Sequence, residues 1–148
     1  MEFRGNYAFL SNMYFSPITI TMSKREGLVK EVFYSVENAF QYFKCIDPKI
    51  CVQIAEASPK DAKKLGRRCP MRPDWNEKRL QVMRALIRAK FQQNPDLAEK
   101  LIAIKEPIVE DNTWNDTYWG VCNGKGSNHL GKILMTVRQE LLDSNLNF

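Results

Sequence analysis

Ser35-Val36-Glu37-Asn38-Ala39-Phe40-Gln41-Tyr42-Phe43-Lys44 reads as the opening turns of a helix and organises the rest of the chain. Ser35 suits an N-cap, because its hydroxyl can accept from a free backbone N–H of the first turn. At about 100° per residue, Glu37, Gln41 and Lys44 fall on one stripe, and Val36, Phe40 and Phe43 on its neighbour. One face can enter a core while the next presents an acid, an amide and an amine together. Glu37 also lies at the positive end of the helix dipole, which favours its ionised form. A plain surface helix with a charge pair above a core stripe would have the same pattern, so the flanking sequence has to decide.

Upstream, Tyr14 to Thr21 and Leu28 to Tyr34 are rich in β-branched and aromatic residues, with turn residues Ser23 to Gly27 between them. This predicts a hairpin running into the Ser35 helix, with Pro17 forcing an edge or a bulge. Gly5 to Asn12 reads as an ordered loop. Downstream, Asp47-Pro48 ends the first helix, and Pro48 starts a second through Ala57. Ser58-Pro59 starts a third that ends near Gly66, and Asp74 caps a long fourth from Trp75 to Asn94. Leu80, Met83, Leu86, Ile87 and Phe91 form the core stripe of the fourth. A short helix spans Asp96 to Ile104, a short strand Lys105 to Glu110, and a last helix His129 to Leu142. The tail from Asp143 to Phe148 reads as loose.

With 148 residues, the chain is expected to form one soluble domain with a real core. It lacks a long apolar run and an N-terminal signal pattern, which predicts a cytoplasmic protein with no membrane role. Cys45, Cys51, Cys69 and Cys122 are scattered and there is one histidine, so no metal site is expected and the thiols are expected to stay reduced. The net charge of +5 conceals a basic middle, since Lys60 to Lys90 holds eleven basic residues against three acidic ones. Such a stretch suits a phosphate, nucleotide or nucleic acid, or else solvated helix faces.

The second informative stretch is Glu110-Asp111-Asn112-Thr113-Trp114-Asn115-Asp116-Thr117-Tyr118-Trp119-Gly120-Val121. Carboxylates beside tryptophans suit a site that stacks a flat base and stabilises positive charge. Gly124 to Asn128 then feeds a helix start, where backbone N–H groups can receive a phosphate. It is too short for a P-loop. A turn-rich loop with buried aromatics is the plain alternative.

Phe9-Leu-Ser-Asn-Met-Tyr14, Ser35-Val-Glu-Asn-Ala-Phe-Gln-Tyr-Phe-Lys44, Leu65-Gly-Arg67, Arg72-Pro-Asp-Trp75, Lys90-Phe91, Glu110, Asn112-Thr-Trp114, Asp116, Trp119-Gly120 and Asn128-His-Leu-Gly131 together resemble the NADAR, or YbiA-like, family. The resemblance runs from about Phe3 to Leu142. In one departure, Asn38 stands where the family often has histidine, which brings an acid–base role at that position into question. The resemblance implies a single, mainly helical α+β domain, with an N-terminal hairpin and small sheet packed on a helix cluster. It also implies an N-glycosidase without a cofactor. Members cleave ribosylamino-pyrimidine phosphates of riboflavin biosynthesis or remove ADP-ribose from guanine in nucleic acid.

Breaking a C1′–N bond builds positive charge on the ribose, which a nearby carboxylate can stabilise. Glu37 is the expected catalytic acid, with Asp116 as the second. Lys44 either attacks C1′ of a ring-opened sugar as a neutral amine or holds charge. Arg67 and Arg72 are the phosphate candidates. Asn12, Gln41 and Asn128 are hydrogen-bonding candidates, with Ser11 in the same loop as Asn12. Trp114 and Trp119 are stacking candidates, and Trp75 joins the set through the resemblance. His129 is expected to pack at a helix start. The partners expected are a nucleotide-like substrate or nucleic acid carrying ADP-ribosylated guanine. A non-catalytic ADP-ribose or nucleic-acid reader is the alternative, although a reader gains nothing from paired carboxylates beside an anionic ligand.

Overall fold

The cap expected at Ser35 is present. In the computed structural model, which describes residues 1–146, Ser35 Oγ accepts from the Asn38 backbone N–H at 3.1 Å and donates to Asn38 Oδ1 at 2.6 Å. This box opens α1 (Val36–Lys44). Asn38 is buried, and its Nδ2 donates to the carbonyls of Ile54 at 2.9 Å and Ala57 at 2.8 Å. Those carbonyls close α2 (Pro48–Glu56), where a helix end runs short of intrahelical donors. Asn38 is thus a clamp between the start of α1 and the end of α2.

The chain is a mainly helical α+β protein. A 3₁₀ turn (Gly5–Leu10) precedes β1 (Ile18–Lys24), β2 (Gly27–Phe33), α1 and α2. These are followed by α3 (Pro59–Arg68), α4 (Trp75–Gln93), α5 (Pro95–Ala103), β3 (Asp111–Asn112), β4 (Val121–Cys122) and α6 (His129–Leu146). Prolines open α2, α3 and α5 in their first turns, where a missing N–H costs nothing. The residues pack as two units, one of Asn12–Gln93 and the other of residues 1–11 with 94 onward.

In the Asn12–Gln93 unit, β1 and β2 pair antiparallel from Ile18↔Phe33 to Lys24↔Gly27. The first strand starts later than Tyr14, the expected position, because Pro17 has no N–H to give a ladder. It also runs on through Ser23 and Lys24, leaving a two-residue turn at Arg25-Glu26. Gln93 at the end of α4 seals the outer edge of β1. Its Oε1 accepts from the Thr19 N–H at 2.7 Å, and its Nε2 donates to the Thr19 carbonyl at 3.0 Å, so that part of the edge cannot template another strand. Phe33 meets Tyr42 and Phe43 of α1, with ring centroids 5.0 and 5.9 Å away. Of the stripe expected on α4, Met83, Leu86, Ile87 and Phe91 are buried, while Leu80 is only half-buried. Cys45, Ile54, Ala62 and Cys69 form a second apolar cluster with Cys51 against it. The four cysteines are free thiols. Burial, with Cys45 adjacent, pushes Cys51 up to about 12 and Cys69 up to about 11, so both stay protonated at neutral pH.

In the other unit, β3 and β4 form a two-residue parallel pair. Lys105 to Glu110 is not the strand expected from its sequence. Side chains take up its polar groups in place of a ladder partner. Arg138 donates to the Ile104 and Glu106 carbonyls at 2.8 and 2.9 Å. Asn128 donates to the Ile108 carbonyl at 3.0 Å and accepts from the Glu110 N–H at 3.0 Å. Pro107 could give no ladder bond in any case. Helix α6 runs to Leu146 and so takes in Asp143, which the sequence placed in a loose tail. Gln139 donates to the Asp143 carboxylate at 2.9 Å, an i, i+4 pair that supports the extra turn. Asn147 and Phe148 lie outside the described residues.

The Asn38 clamp gives a stability prediction. Asn38→Ala removes both amide bonds to the end of α2 and the partner of the Ser35 hydroxyl, and is expected to cost about 2–3 kcal/mol in urea unfolding. A loss under about 0.5 kcal/mol, the level of an ordinary surface change, would contradict the clamp.

Candidate active site

Helices α1 and α3 approach closely because α3 carries a glycine where they meet. A Cβ at Gly66 would lie 1.9 Å from Gln41 Oε1 and 2.5 Å from Gln41 Cδ. Ala62, one turn earlier, is also buried. Glycine inside a helix costs about 1 kcal/mol relative to alanine, and here it makes room for the Gln41 amide. Gln41 Nε2 donates to Glu37 Oε1 at 3.0 Å. Glu37 and Gln41 are each only 8% exposed, so this is an interior carboxylate. Burial pushes its pKa above the ordinary glutamate value. The Gln41 hydrogen bond, then the charges of Lys63, Lys44 and Arg67, pull it partly back. An anion within one turn of the α1 N-terminus is thus ringed by three cations, two of them from α3.

Asn12 lies over the same end of α1. Its carbonyl accepts from the Glu37 N–H at 2.9 Å, and its Nδ2 lies 3.6 Å from Met83 Sδ. Asn12 Oδ1 is buried with no hydrogen-bond partner among the described residues. That leaves a buried acceptor unsatisfied on the residue whose backbone holds the start of α1.

The other expected residues of this unit lie elsewhere in it. The Arg72 N–H donates to the Lys44 carbonyl at 2.9 Å, and its guanidinium pairs with Asp74 at 3.3 Å. It lines an open groove of about 1010 Å³ between the hairpin and α2, together with Val32, Tyr34 and Val52. Trp75 is 3% exposed and packs on Phe40 at 4.9 Å, as a core residue.

In the other unit, the second informative stretch is a loop tied by its own polar side chains. Asn112 grips the Asp116 backbone twice, donating to its carbonyl at 2.8 Å and accepting from its N–H at 3.1 Å. The Asp116 carboxylate accepts from the Tyr118 and Trp119 N–H groups at 3.1 and 2.9 Å. Asn128, at a φ of 54°, has both ends of its amide engaged with residues 108 and 110. Trp119 packs edge-on against Tyr118 at 4.9 Å, and Tyr118 lies 4.5 Å from His129, which opens α6. Trp114 is exposed. Ser11 closes the 3₁₀ turn through its N–H to the Ala8 carbonyl at 3.0 Å. Glu110 is buried.

Two residues absent from the expected set stand out. Lys63 acts on Glu37 more strongly than Lys44 does, and only the α1–α3 packing reveals it. Lys90 is fully buried in α4, with its Nζ 5.9 Å from the Tyr14 ring centroid and 5.3 Å from that of Phe91. Burial pulls its pKa down to about 7. Its signal was in the sequence, since Met83, Ile87 and Lys90 continue one apolar stripe at i, i+4, i+7. Among the described residues, no group of three or more His, Cys, Asp or Glu is placed to hold a metal ion, and no helix is long and apolar enough to cross a membrane.

The NADAR domain family model matches residues 2–142. The chain is 40% identical over 109 residues to the N-glycosidase YbiA of Shigella boydii, a match covering 71% of this chain and 68% of that one. It is 35% identical over 140 residues to a riboflavin biosynthesis protein of Vibrio vulnificus, covering 92% of this chain and 36% of the longer relative. The NMR structure of Escherichia coli YbiA matches it with a TM-score of 0.81 at 35% identity, over 100% of this chain and 88% of that one. The chain belongs to the NADAR family.

Lys90 gives a pH prediction. Its folded pKa, about 7, lies below the ordinary lysine value, so the unfolded chain holds the proton more tightly. Stability then rises as the pH climbs from about 7 toward the ordinary value. The gain in stability between pH 6 and pH 10 should be smaller by a few kcal/mol in Lys90→Met than in the unaltered protein, on the order of 1.4 kcal/mol per pKa unit. Equal urea midpoints for the two proteins at both pH values would refute it.

Proposed function

We propose that this chain is an N-glycosidase that hydrolyses the C1′–N bond of a phosphate-bearing ribosyl substrate, with Glu37 as its central carboxylate. The observation that carries this is the buried Glu37 carboxyl, held by Gln41 and ringed by Lys63, Lys44 and Arg67. As the C–N bond lengthens, the carboxylate stabilises the positive ribose. Water adds its oxygen to C1′ and passes a proton to Glu37, while the departing nitrogen takes up a proton. A carboxyl whose pKa burial raises above the ordinary glutamate value is better able to accept and return that proton. Lys63 and Arg67 hold the phosphate, replacing the expected pairing of Arg67 with Arg72. Asn12 Oδ1 accepts from a ribose hydroxyl. Asp116 is assigned to holding its own loop, because its carboxylate already caps two backbone N–H groups.

A covalent route needs a neutral amine at C1′ of the ring-opened sugar. Lys44, on the same stripe of α1 as Glu37, is the candidate for that role. Borohydride trapping of an adduct that Lys44→Ala abolishes would select the covalent route.

The relatives named as N-glycosidase and riboflavin biosynthesis protein support a ribosylamino-pyrimidine phosphate as substrate. A second observation favours ADP-ribosylated guanine in nucleic acid. Lys60, Lys64 and Arg68 are exposed at i, i+4, i+8 on α3, a basic stripe beside the phosphate cations.

One assay tests both. A ribosylamino-pyrimidine phosphate and an ADP-ribosylated guanine oligonucleotide are incubated with the enzyme at 50 and 200 mM salt. Turnover of the small molecule with little salt dependence supports the metabolite substrate. Release of ADP-ribose, leaving guanine intact in the oligonucleotide and weakening steeply with salt, supports nucleic acid, since several phosphate contacts give a steep slope. Glu37→Gln should lose roughly 100-fold or more in rate while remaining folded. Tight binding with neither substrate cleaved would make the chain a reader and overturn the proposal.

A further inference from the structure

We infer that Gln41 and Gly66 act together as positioning residues for Glu37, with Gly66 serving as the seat that holds the Gln41 amide in place. This rests on Glu37 being the catalytic carboxylate. Gln41 Nε2 donates to Glu37 Oε1 at 3.0 Å, from the next turn of the same helix. The opposite amide orientation would set Oε1 against a carboxylate, so the ion fixes which end faces it. Gln41 Oε1 is buried with no hydrogen-bond partner among the described residues. It rests on the Gly66 methylene, where a Cβ would approach to 1.9 Å.

The amide is thus held between an ion and a helix backbone. It cannot leave Glu37 without moving into α3, and α3 cannot carry a side chain at position 66 without displacing it. A carboxylate that must meet C1′ on one oxygen gains from losing its freedom to rotate. Lys63 and Arg67 on α3 and Lys44 on α1 supply charge around Glu37, and Gln41 supplies direction. A helix tolerates alanine better than glycine, so retaining glycine here fits the contact with Gln41 and runs against helix propensity.

The test is a double-mutant cycle on the full chain with Gln41→Ala, Gly66→Ala and the pair. Each single change should lower kcat about 10- to 100-fold with KM within about threefold, because the substrate still meets its own contacts while the acid loses its orientation. Each should also move the acid limb of the kcat profile upward, since a hydrogen bond to the ionised form is lost. In the pair, Gly66→Ala should cost no further activity, because no amide remains to collide with. Gln41→Asn, one methylene short, should not restore kcat. Gly66→Ala lowering kcat equally with and without Gln41 would overturn the inference, as would single variants that change KM alone. Full activity of Glu37→Gln would instead remove the catalytic assignment. The Gly66–Gln41 coupling would then still be measured independently in urea midpoints, where additivity would refute it.

Discussion

A carboxylate is buried in the first turns of α1, and the surrounding structure makes this tolerable. An isolated buried charge costs several kcal/mol even after relaxation. Here the cost is offset by the α1 N-terminus, by the Gln41 amide and by three cations. None of these works unless α1 is held in register with α2 and α3. Asn38 sets the first register by gripping the end of α2, and Gly66 sets the second by letting α3 close on Gln41. Adjacent residues of α1 therefore have different tasks. Position 38 anchors the helix and position 37 carries the charge that the anchoring makes possible.

Much of this was legible in the sequence because it is local. Ser35 as N-cap, prolines at helix starts and the α4 stripe follow from rules acting over a few residues. The strand expected at Lys105 to Glu110, which the structure does not form, had the opposite origin. The carbonyls of Ile104, Glu106 and Ile108 are satisfied by Arg138 and Asn128, side chains distant in sequence, and of the local residues Pro107 alone argued against a ladder. The end of α6 was missed for a smaller reason. Gln139 and Asp143 are i, i+4 partners, and a polar tail conceals such a pair when only apolar periodicity is followed.

The site divides in the same way. Glu37, Gln41 and Lys44 share a stripe on one helix, so periodicity alone brought them together. Lys63 and Gly66 needed the packing of α3 on α1, which no single-helix pattern contains. Asp116 was expected as a catalytic group and Asn128 as a substrate group. In the structure their side chains bind backbone groups, the ordinary habit of short polar side chains in turns. Lys90 was counted among the basic residues of the middle stretch, yet it is a core residue of α4. Formal charge counts therefore overstate the cationic surface that this stretch offers a ligand.

The central claim is that Glu37 is an interior, polarised carboxyl and not a solvated surface one. Carbon-13 NMR titration of the glutamate side-chain carboxyls tests it directly, with Glu37→Gln assigning the resonance. The account predicts that the Glu37 midpoint lies above the ordinary glutamate value, because burial outweighs the amide and the cations. It also predicts that inorganic phosphate moves that midpoint further up, by screening Lys63 and Arg67. A Glu37 carboxyl that titrates at or below the ordinary value, and ignores phosphate, would contradict the account.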